Sequence, residues 1–157
     1  MNLRETIEKR RMVRSFSSEP LDPKQLENLL RTSLRAPSAG NTRGVAWLTL
    51  LGAQTAMYWE HATTKDWRSN ATRFPGLARA PVIALCLCSP KLYLRRYGEP
   101  DKLRSGLGTG EEAWPVPYWF GDAAFVTMQL LLGVAEAGLG ASFLGNFRNE
   151  ARLLRSL

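Results

Sequence analysis

The chain has 157 residues, a length that predicts one domain with a single buried core. Hydrophobic residues make up 45% and charged residues 22% of the chain, which excludes disordered and fibrous proteins. The 21 Lys and Arg residues outnumber the 14 Asp and Glu residues, so the formal net charge is +7. This balance favours an anionic partner, and composition alone leaves open a nucleic acid, a membrane surface or a small phosphate.

Counting the reactive side chains excludes several catalytic classes. The chain has one histidine, His61, and two cysteines, Cys86 and Cys88. A zinc cluster needs three or four ligands and a hydrolytic triad would depend on that one histidine, so we expect neither a metal site nor a hydrolase. The two cysteines are expected to be buried, reduced thiols of a cytoplasmic protein. We also expect no signal peptide, and the apolar tract over 123–134 is too short to cross a bilayer.

Capping residues mark the starts of the first two helices. Asn2 and Glu5 have the spacing of a capping pair, which predicts a short first helix. Asp22 followed by Pro23 predicts the start of a second helix, whose leucines continue at helical spacing until residue 36. Beyond these, we predict an extended segment over 13–16, strands over 45–51 and 81–88, and helices over 53–61 and from 148 onward.

The second half of the chain contains a long irregular stretch and a long apolar helix. Residues 90–120 show little periodicity, which is typical of a functional lid or a partner arm. Asp122 is predicted to be the N-cap of a core helix that is apolar nearly all round and that Gly138 ends. The alternation of helices and strands indicates an α+β or three-layer domain.

Three short segments carry residues suited to ligand binding. Residues 9–14 concentrate four cations, Lys9, Arg10, Arg11 and Arg14, which suits a phosphate but also describes a solvated basic face. The loop over 37–44, hereafter the 37–44 loop, offers mixed donors and acceptors, yet an ordinary connection has the same composition. The glycines of 138–145 permit close backbone approach to a ligand, and they also fit a helix cap followed by a strand.

Taken together, these three segments resemble the nitroreductase family of flavin mononucleotide (FMN) enzymes. The matching blocks are Lys-Arg-Arg-Met-Val-Arg-Ser-Phe at 9–16, Ala-Pro-Ser-Ala-Gly-Asn-Thr-Arg at 36–43, and Asp122 with its apolar helix into Gly-Leu-Gly-Ala-Ser-Phe-Leu-Gly at 138–145. They follow one another in the order and at the spacing of that family, over nearly the whole chain.

The resemblance implies a fold and an assembly. It implies an α+β, nitroreductase-like three-layer α/β/α sandwich with a mixed, mainly antiparallel sheet, formed by residues 1–157 as a single FMN-binding domain. It also implies a homodimer with two flavins at its interface. Family members usually continue beyond the equivalent of Leu157, so the sequence is expected to be short at its C-terminal end.

The same resemblance assigns cofactor-binding residues. Arg10 and Arg11 would hold the flavin phosphate, with Met12 where the family commonly has a serine. Arg14 would reach the ribityl chain or the N1–C2 carbonyl edge, and Leu144 and Gly145 would offer backbone near N5 and O4. The residues expected along the isoalloxazine, in this family often contributed from the other subunit, are Pro37, Ser38, Ala39, Asn41 and Arg43, the last in place of the usual glutamine.

The implied activity is hydride transfer from NAD(P)H, through flavin N5, to a nitroaromatic, quinone or similar small acceptor by a ping-pong mechanism. No side chain is then expected to be catalytic, because the flavin carries the chemistry. Tyrosines and tryptophans of 91–120 would either stack on the acceptor or pack at a dimer contact.

Three alternatives remain open from the sequence. One is a reductive dehalogenase similar to the iodotyrosine deiodinases, with Glu99, Lys102 and Arg104 gripping a zwitterion. A second is a basic nucleic-acid-binding module with aromatic stacking platforms. A third is an inactive, truncated remnant that binds no flavin.

Arg43 in place of glutamine generates a prediction. A fixed cation beside the N1–C2=O edge would stabilise negative charge on the reduced flavin. Arg43→Gln is therefore expected to lower the flavin midpoint potential, measured by equilibration with reference dyes. An unchanged potential would contradict this electrostatic effect.

Overall fold

The computed structural model describes residues 2–66 and 76–145. The predicted helix from 148 onward lies outside these residues. Short 3₁₀ turns occur at Ala39–Asn41, Leu77–Arg79, Leu103–Ser105 and Glu111–Ala113. The regular elements are helices α1 (Leu3–Lys9), α2 (Pro23–Ser33), α3 (Ala53–Ala62), α4 (Pro90–Tyr97) and α5 (Tyr118–Glu136), and strands β1 (Val45–Leu51) and β2 (Val82–Cys88).

The predicted caps of the first two helices are confirmed. The Asn2 side chain accepts a hydrogen bond from the Glu5 N–H, and the Glu5 carboxylate accepts one from the Asn2 N–H, which completes a capping box. Pro23 is the first residue of α2, and Asp22 Oδ1 accepts from the Lys24 N–H at 3.1 Å. These side chains satisfy N–H groups that the helices themselves leave without acceptors.

The two strands form an antiparallel sheet whose bounds match the sequence prediction within one residue. The Ser89 N–H donates to the Gly44 carbonyl oxygen at 2.9 Å and continues the pairing just beyond the strand ends. This contact places Val45 opposite Cys88 in the register. The sequence predicted β2 as an interior strand, but its side chains are half-buried, apart from the exposed Leu87.

The stretch over 90–120 is more ordered than its sequence predicts. It contains α4 and two 3₁₀ turns, so its description as irregular is wrong. Pro90 occupies the first turn of α4, where a missing N–H costs nothing, and Arg95 lies in the last turn, where a cation favours the helix dipole. The helix is too short for hydrophobic periodicity to reveal it.

Helix α5 begins five residues earlier than predicted. Tyr118 is its first residue, so Asp122 lies inside the helix and its prediction as an N-cap is wrong. The predicted end is confirmed: α5 stops at Glu136, and Gly138 adopts the left-handed φ of +73°. There the Gly138 N–H donates to the Ala135 carbonyl, which satisfies one of the last helix carbonyls.

The described residues of the chain bury one face of α5. Trp119, Asp122 and Val126 are buried, whereas Phe125 and Met128 on the opposite face remain 54% and 49% exposed. The sequence predicted a core helix, and residues 2–66 and 76–145 leave one apolar side of it uncovered. By length and composition alone, α5 is long and apolar enough to cross a membrane, a property that core helices of soluble proteins share.

The chain divides into two compact units, each built from separated segments. The first comprises the described residues of 2–25, 49–85 and 134–145, and α3 packs there against the 3₁₀ turn at Leu77. Its core includes Leu50, Tyr58 and Trp59, the last two in edge-to-face contact at 5.3 Å between ring centres.

The second unit comprises residues 26–48 and 86–133 and contains an aromatic cluster. Tyr93, Trp114 and Trp119 are buried, and Trp114 meets the rings of both partners edge-on, at 6.1 and 5.5 Å between ring centres. The Trp114 indole N–H donates to the Leu107 carbonyl at 2.7 Å, so its one polar group is satisfied.

Trp114 is expected to contribute strongly to the stability of the second unit. Trp114→Ala should lower the free energy of unfolding by about 3–5 kcal/mol in urea titration, because it leaves a cavity among the rings. Val116→Ala, at a nearby residue that is 56% exposed, is the control and should change stability little. A similar loss for the two variants would show that the cluster is not a packed core.

Candidate functional site

The sequence-predicted site residues fall into both units. Arg10, Arg11, Met12, Arg14, Leu144 and Gly145 belong to the first unit, and Pro37, Ser38, Ala39, Asn41 and Arg43 belong to the second.

In the first unit, the cation segment lies beside the glycine-rich segment. Met12 forms a parallel bridge with Ala141, and the Val13 N–H donates to the Ala141 carbonyl at 2.9 Å. A Cβ on Gly140 would lie 2.9 Å from Val13 Cγ2, so the close approach requires glycine at this position. Two of the blocks that carried the resemblance, more than 120 residues apart in the sequence, are therefore neighbours.

The three arginines of this segment have different environments. Arg10 is half-buried, and its Nη1 is fully buried with no hydrogen-bond partner among the residues that the structure describes. Arg11 donates to the Glu8 and Arg10 carbonyls and thereby caps the end of α1. Arg14 is exposed and donates to the Met12 carbonyl at 3.4 Å. Arg10 is thus the arginine with a buried donor available for an anion.

Met12 takes part in the same junction through its sulfur. The Phe143 N–H donates to Met12 Sδ at 3.4 Å. Sulfur is a weak acceptor, so this contact does not replace the hydroxyl of the serine that is common at this position in the family. Leu144 is half-buried and Gly145 exposed, both in irregular backbone, and the buried Ser142 Oγ has no partner within the described ranges.

In the second unit, the 37–44 loop has an unusual backbone. A 3₁₀ turn spans Ala39–Asn41, and Gly40, Asn41 and Arg43 have φ values of +60°, +54° and +53°. Left-handed conformations cost asparagine less than most residues, but they strain arginine. Strained backbone of this kind persists only where surrounding contacts hold it, and it clusters at functional sites.

Hydrogen bonds within the loop fix this conformation. Ser38 Oγ accepts from the Arg43 N–H at 2.9 Å, and the Ala39 carbonyl accepts from the Thr42 N–H at 3.1 Å. The Arg43 guanidinium donates through Nε to Asn41 Oδ1 at 3.2 Å, so these two side chains are joined. Both are exposed, whereas Ser38 and Ala39 are half-buried.

Asp122 anchors the loop, a function that the sequence analysis missed. One oxygen of its buried carboxyl group, Oδ2, accepts from the Ala39 N–H at 2.9 Å and from the Tyr93 hydroxyl at 2.7 Å. A carboxyl group this deeply buried is stable only with such partners. Its sequence signal, an aspartate before an apolar run, is the same as that of a helix cap.

Helix α4 packs against the 37–44 loop. A Cβ on Gly40 would lie 2.8 Å from the Tyr97 ring, and one on Gly44 would overlap the Tyr93 ring. Arg96 donates through Nε to the Gly40 carbonyl at 2.8 Å. Tyr93 is fully buried here, so it does not stack on a ligand, one of the two functions predicted for the aromatic residues of 91–120.

Comparison with known proteins decides the family. The family model described as the nitroreductase family matches residues 7–157. The chain belongs to the nitroreductase family. Among curated protein sequences none matches the chain.

Solved nitroreductase structures share the fold of this chain. A nitroreductase of Lactococcus lactis in complex with nicotinic acid is 13% identical, covers 99% of this chain and 80% of its own, and has a TM-score of 0.76. A nitroreductase family protein of Streptococcus pneumoniae is 18% identical, with 99% and 83% covered and a TM-score of 0.72. A nitroreductase-type protein of Desulfovibrio desulfuricans in complex with FMN is 20% identical, with 99% and 76% covered and a TM-score of 0.63. They confirm the predicted nitroreductase-like α+β fold.

The remaining reactive side chains of this nitroreductase-family chain have ordinary environments. His61 is exposed, and one ring nitrogen lies 2.8 Å from the Met57 carbonyl oxygen. Cys86 and Cys88 are free thiols, and burial raises the pKa of each. A raised pKa keeps these groups as thiols at neutral pH, which does not suit a nucleophile.

The residues suggested for a dehalogenase have partners within the chain. Glu99 accepts from Arg96 at 2.8 Å, and the Lys102 ammonium lies 5.9 Å from the centre of the Tyr97 ring. These contacts give two of the three residues a structural function beside the 37–44 loop.

The Tyr93–Asp122 contact generates a pH-dependent prediction. Burial, and then the hydrogen bond to Asp122, raise the pKa of Tyr93 above its ordinary value of about 10. The stability contributed by the neutral phenol is present below pH 10 and is lost as the pH rises above it, because only the unfolded chain then releases the proton. Above that pH, the free energy of unfolding of the wild type should fall by up to about 1.4 kcal/mol more per pH unit than that of Tyr93→Phe, as measured by urea unfolding.

The control for this experiment is Tyr118→Phe, which removes the hydroxyl of an exposed tyrosine. It should keep the wild-type dependence of stability on pH. Equal slopes for the wild type and Tyr93→Phe would contradict the assignment of Tyr93.

Proposed function

We propose that this chain is an FMN-dependent oxidoreductase that takes a hydride from NAD(P)H and passes it to a small acceptor such as a nitroaromatic or quinone, in ping-pong order. Membership of the nitroreductase family makes it an oxidoreductase of that type. The cofactor, the donor and the acceptor are the content of the proposal. The structural observation that carries the cofactor is the buried Nη1 of Arg10, which has no hydrogen-bond partner among the described residues.

The donor set of the first unit fits an anionic cofactor. Arg10 Nη1 is buried without an acceptor among residues 2–66 and 76–145, and a phosphate oxygen would satisfy it with a charge-assisted hydrogen bond. The Ser142 hydroxyl, which follows the Ala141 bridge to Met12, is also buried without a partner in that part of the chain and is a further donor or acceptor. The D. desulfuricans neighbour, whose structure is in complex with FMN, supports the same choice.

When bound, FMN supplies the centre that accepts a hydride from the donor and returns it to the acceptor. In this proposal Arg10 holds the phosphate, with Arg11 and Arg14 adding positive charge beside it. Met12 keeps the arginines next to the glycine-rich segment through its bridge to Ala141. Leu144 and Gly145 offer backbone hydrogen-bonding groups.

The 37–44 loop of one copy is proposed to bind the flavin ring at the site of the other copy, as the family resemblance implies. Pro37, Ser38 and Ala39 would lie along it, while Asn41 offers an amide and Arg43 a fixed cation. The carboxyl group of Asp122 holds the Ala39 N–H, so the loop is positioned before any ligand arrives. Preorganisation of this kind reduces the cost of ordering the loop on binding.

Small aromatic compounds are the proposed acceptors. Structures of the L. lactis nitroreductase contain 4-nitrophenol and chloramphenicol, both nitroaromatic molecules. This likeness, at 13–14% identity, supports the acceptor class without distinguishing its members.

A second copy of the chain is the proposed partner. The uncovered face of α5 presents Phe125 and Met128, one helical turn apart, and neither is covered by the described residues of this chain. A contiguous apolar face of this kind marks an interaction surface. A homodimer would bury it.

Arg10 supplies the first test of the cofactor. The purified chain should retain FMN absorption bands between roughly 300 and 550 nm after FMN is added and the mixture is desalted. Arg10→Gln should weaken FMN affinity by about tenfold or more, the effect of losing one hydrogen bond to a charged group. Fluorescence titration with FMN and with riboflavin, which lacks the phosphate, measures both affinities.

Riboflavin and a neighbouring lysine are the controls. Arg10→Gln should leave riboflavin affinity unchanged, and Lys9→Gln, at an exposed residue of the same basic segment, should leave FMN affinity unchanged. Equal losses for FMN and riboflavin would show that Arg10 does not bind the phosphate. A wild-type chain that retains no FMN would overturn the proposed function.

The apolar face of α5 supplies a test of the dimer. Phe125→Glu should convert the dimer to monomer in sedimentation-velocity or light-scattering measurements, because it places a charge in an apolar contact. Met57→Glu introduces the same charge at an exposed apolar residue of α3 and should remain dimeric. A wild-type chain that is monomeric at micromolar concentration would contradict the proposed partner.

A further inference from the structure

Arg96 joins the 37–44 loop to an acidic turn. It lies in α4, and its side chain is 23% exposed. Its Nε donates to the Gly40 carbonyl at 2.8 Å, and its two terminal nitrogens donate to the two oxygens of Asp101 at 2.7 and 2.8 Å. One of these nitrogens also donates to Glu99 at 2.8 Å. Each of the three guanidinium nitrogens therefore donates at least one hydrogen bond.

The loop's own hydrogen bonds hold only one side of the Gly40–Asn41 peptide: its N–H donates to the Ser38 carbonyl at 2.9 Å, whereas its carbonyl accepts from Arg96, outside the loop. Gly40 and Asn41 are both left-handed, and Arg43 is left-handed two residues later. The Ala39 N–H is held by Asp122, which fixes the entry to the turn. The Gly40 carbonyl, one residue on, is held by Arg96. Side chains from outside the loop thus hold the strained turn at two successive residues, Ala39 and Gly40.

Asp101 keeps the guanidinium in the required plane. A bidentate pair fixes the orientation of the arginine fork and leaves Nε directed at the Gly40 carbonyl. The Arg96 guanidinium also lowers the pKa of the Asp101 carboxyl, so the pair stays charged at neutral pH. Lysine has a single nitrogen and cannot bind Asp101 at both oxygens while also reaching Gly40.

The contacts of Arg96 are suited to positioning rather than to core stability. Asp101 and Glu99 are 60% and 51% exposed, and ion pairs with exposed partners add little to the free energy of folding. What Arg96 provides inside the second unit is the hydrogen bond to one carbonyl of the loop. That carbonyl precedes Asn41, which the proposed function places at the flavin.

We propose that Arg96, braced by Asp101, is a positioning residue that holds the 37–44 loop in its flavin-binding conformation. The inference rests on the proposed function, because it needs the loop to contact the flavin. Arg96 acts through the loop and touches neither cofactor nor substrate. Loss of the contact should loosen the turn, weaken flavin binding and shift the flavin potential by displacing Arg43.

The first measurement is amide hydrogen exchange in the flavin-free chain, with Arg96→Gln as the variant. The informative amides are those of Asn41, Thr42 and Arg43, which are hydrogen-bonded within the turn. They should exchange about tenfold faster in Arg96→Gln, the effect expected from losing a charge-assisted hydrogen bond. The melting temperature should fall by less than about 3 °C, which shows that the fold is intact.

The second measurement is flavin binding by the same variants. FMN affinity should fall about tenfold in Arg96→Gln and also in Arg96→Lys, since lysine cannot replace the fork. Asp101→Asn removes the charge of the exposed partner, and it should lower FMN affinity by less than Arg96→Gln does. Arg95→Gln removes the neighbouring exposed arginine of α4 and should match the wild type in exchange, affinity and midpoint potential.

The outcomes separate the inference from the proposed function. If the wild type binds FMN and Arg96→Gln binds it equally well, the function of Arg96 is overturned while the proposed function stands. Unchanged amide exchange in Arg96→Gln, or equal effects from Arg95→Gln, also overturns the inference. A wild type that binds no FMN overturns both, and it is recognised because neither the wild type nor any variant then shows measurable FMN affinity.

Discussion

The buried carboxyl group of Asp122 is the constraint on which the second unit depends. It lies within α5 and accepts hydrogen bonds from Tyr93 of α4 and from the backbone of Ala39 in the 37–44 loop. A carboxyl group in this environment is stable only if these partners stay in place. One side chain therefore fixes a long helix, a short helix and a strained loop to one another.

The aromatic residues of the second unit make this arrangement rigid. Tyr93 and Trp114 pack edge-to-face, and the 37–44 loop approaches α4 so closely that Gly40 and Gly44 have no room for a Cβ. Interiors packed in this way transmit displacement instead of absorbing it. The loop thus has a fixed conformation although two of its non-glycine residues are left-handed.

In the first unit, the backbone arrangement determines which cationic side chains are available to an anion. The parallel bridge between Met12 and Ala141 aligns the basic segment with glycine-rich backbone. Of the three arginines, Arg11 is used to cap α1, and Arg10 keeps a buried donor available. Arginines that lie close together in the sequence therefore have different contacts in the structure.

Local sequence signals determined much of this protein. Caps at Asn2 and Asp22, the strand over 45–51 and the end of α5 at Gly138 follow from contacts within a few residues, so they could be predicted. The three matching blocks were enough to indicate the nitroreductase family. Tertiary structure decided the rest: Asp122 looks like a helix cap in sequence, and α4 is too short for periodicity to reveal. Arg96 reaches a carbonyl 56 residues away, and only folding brings such groups together.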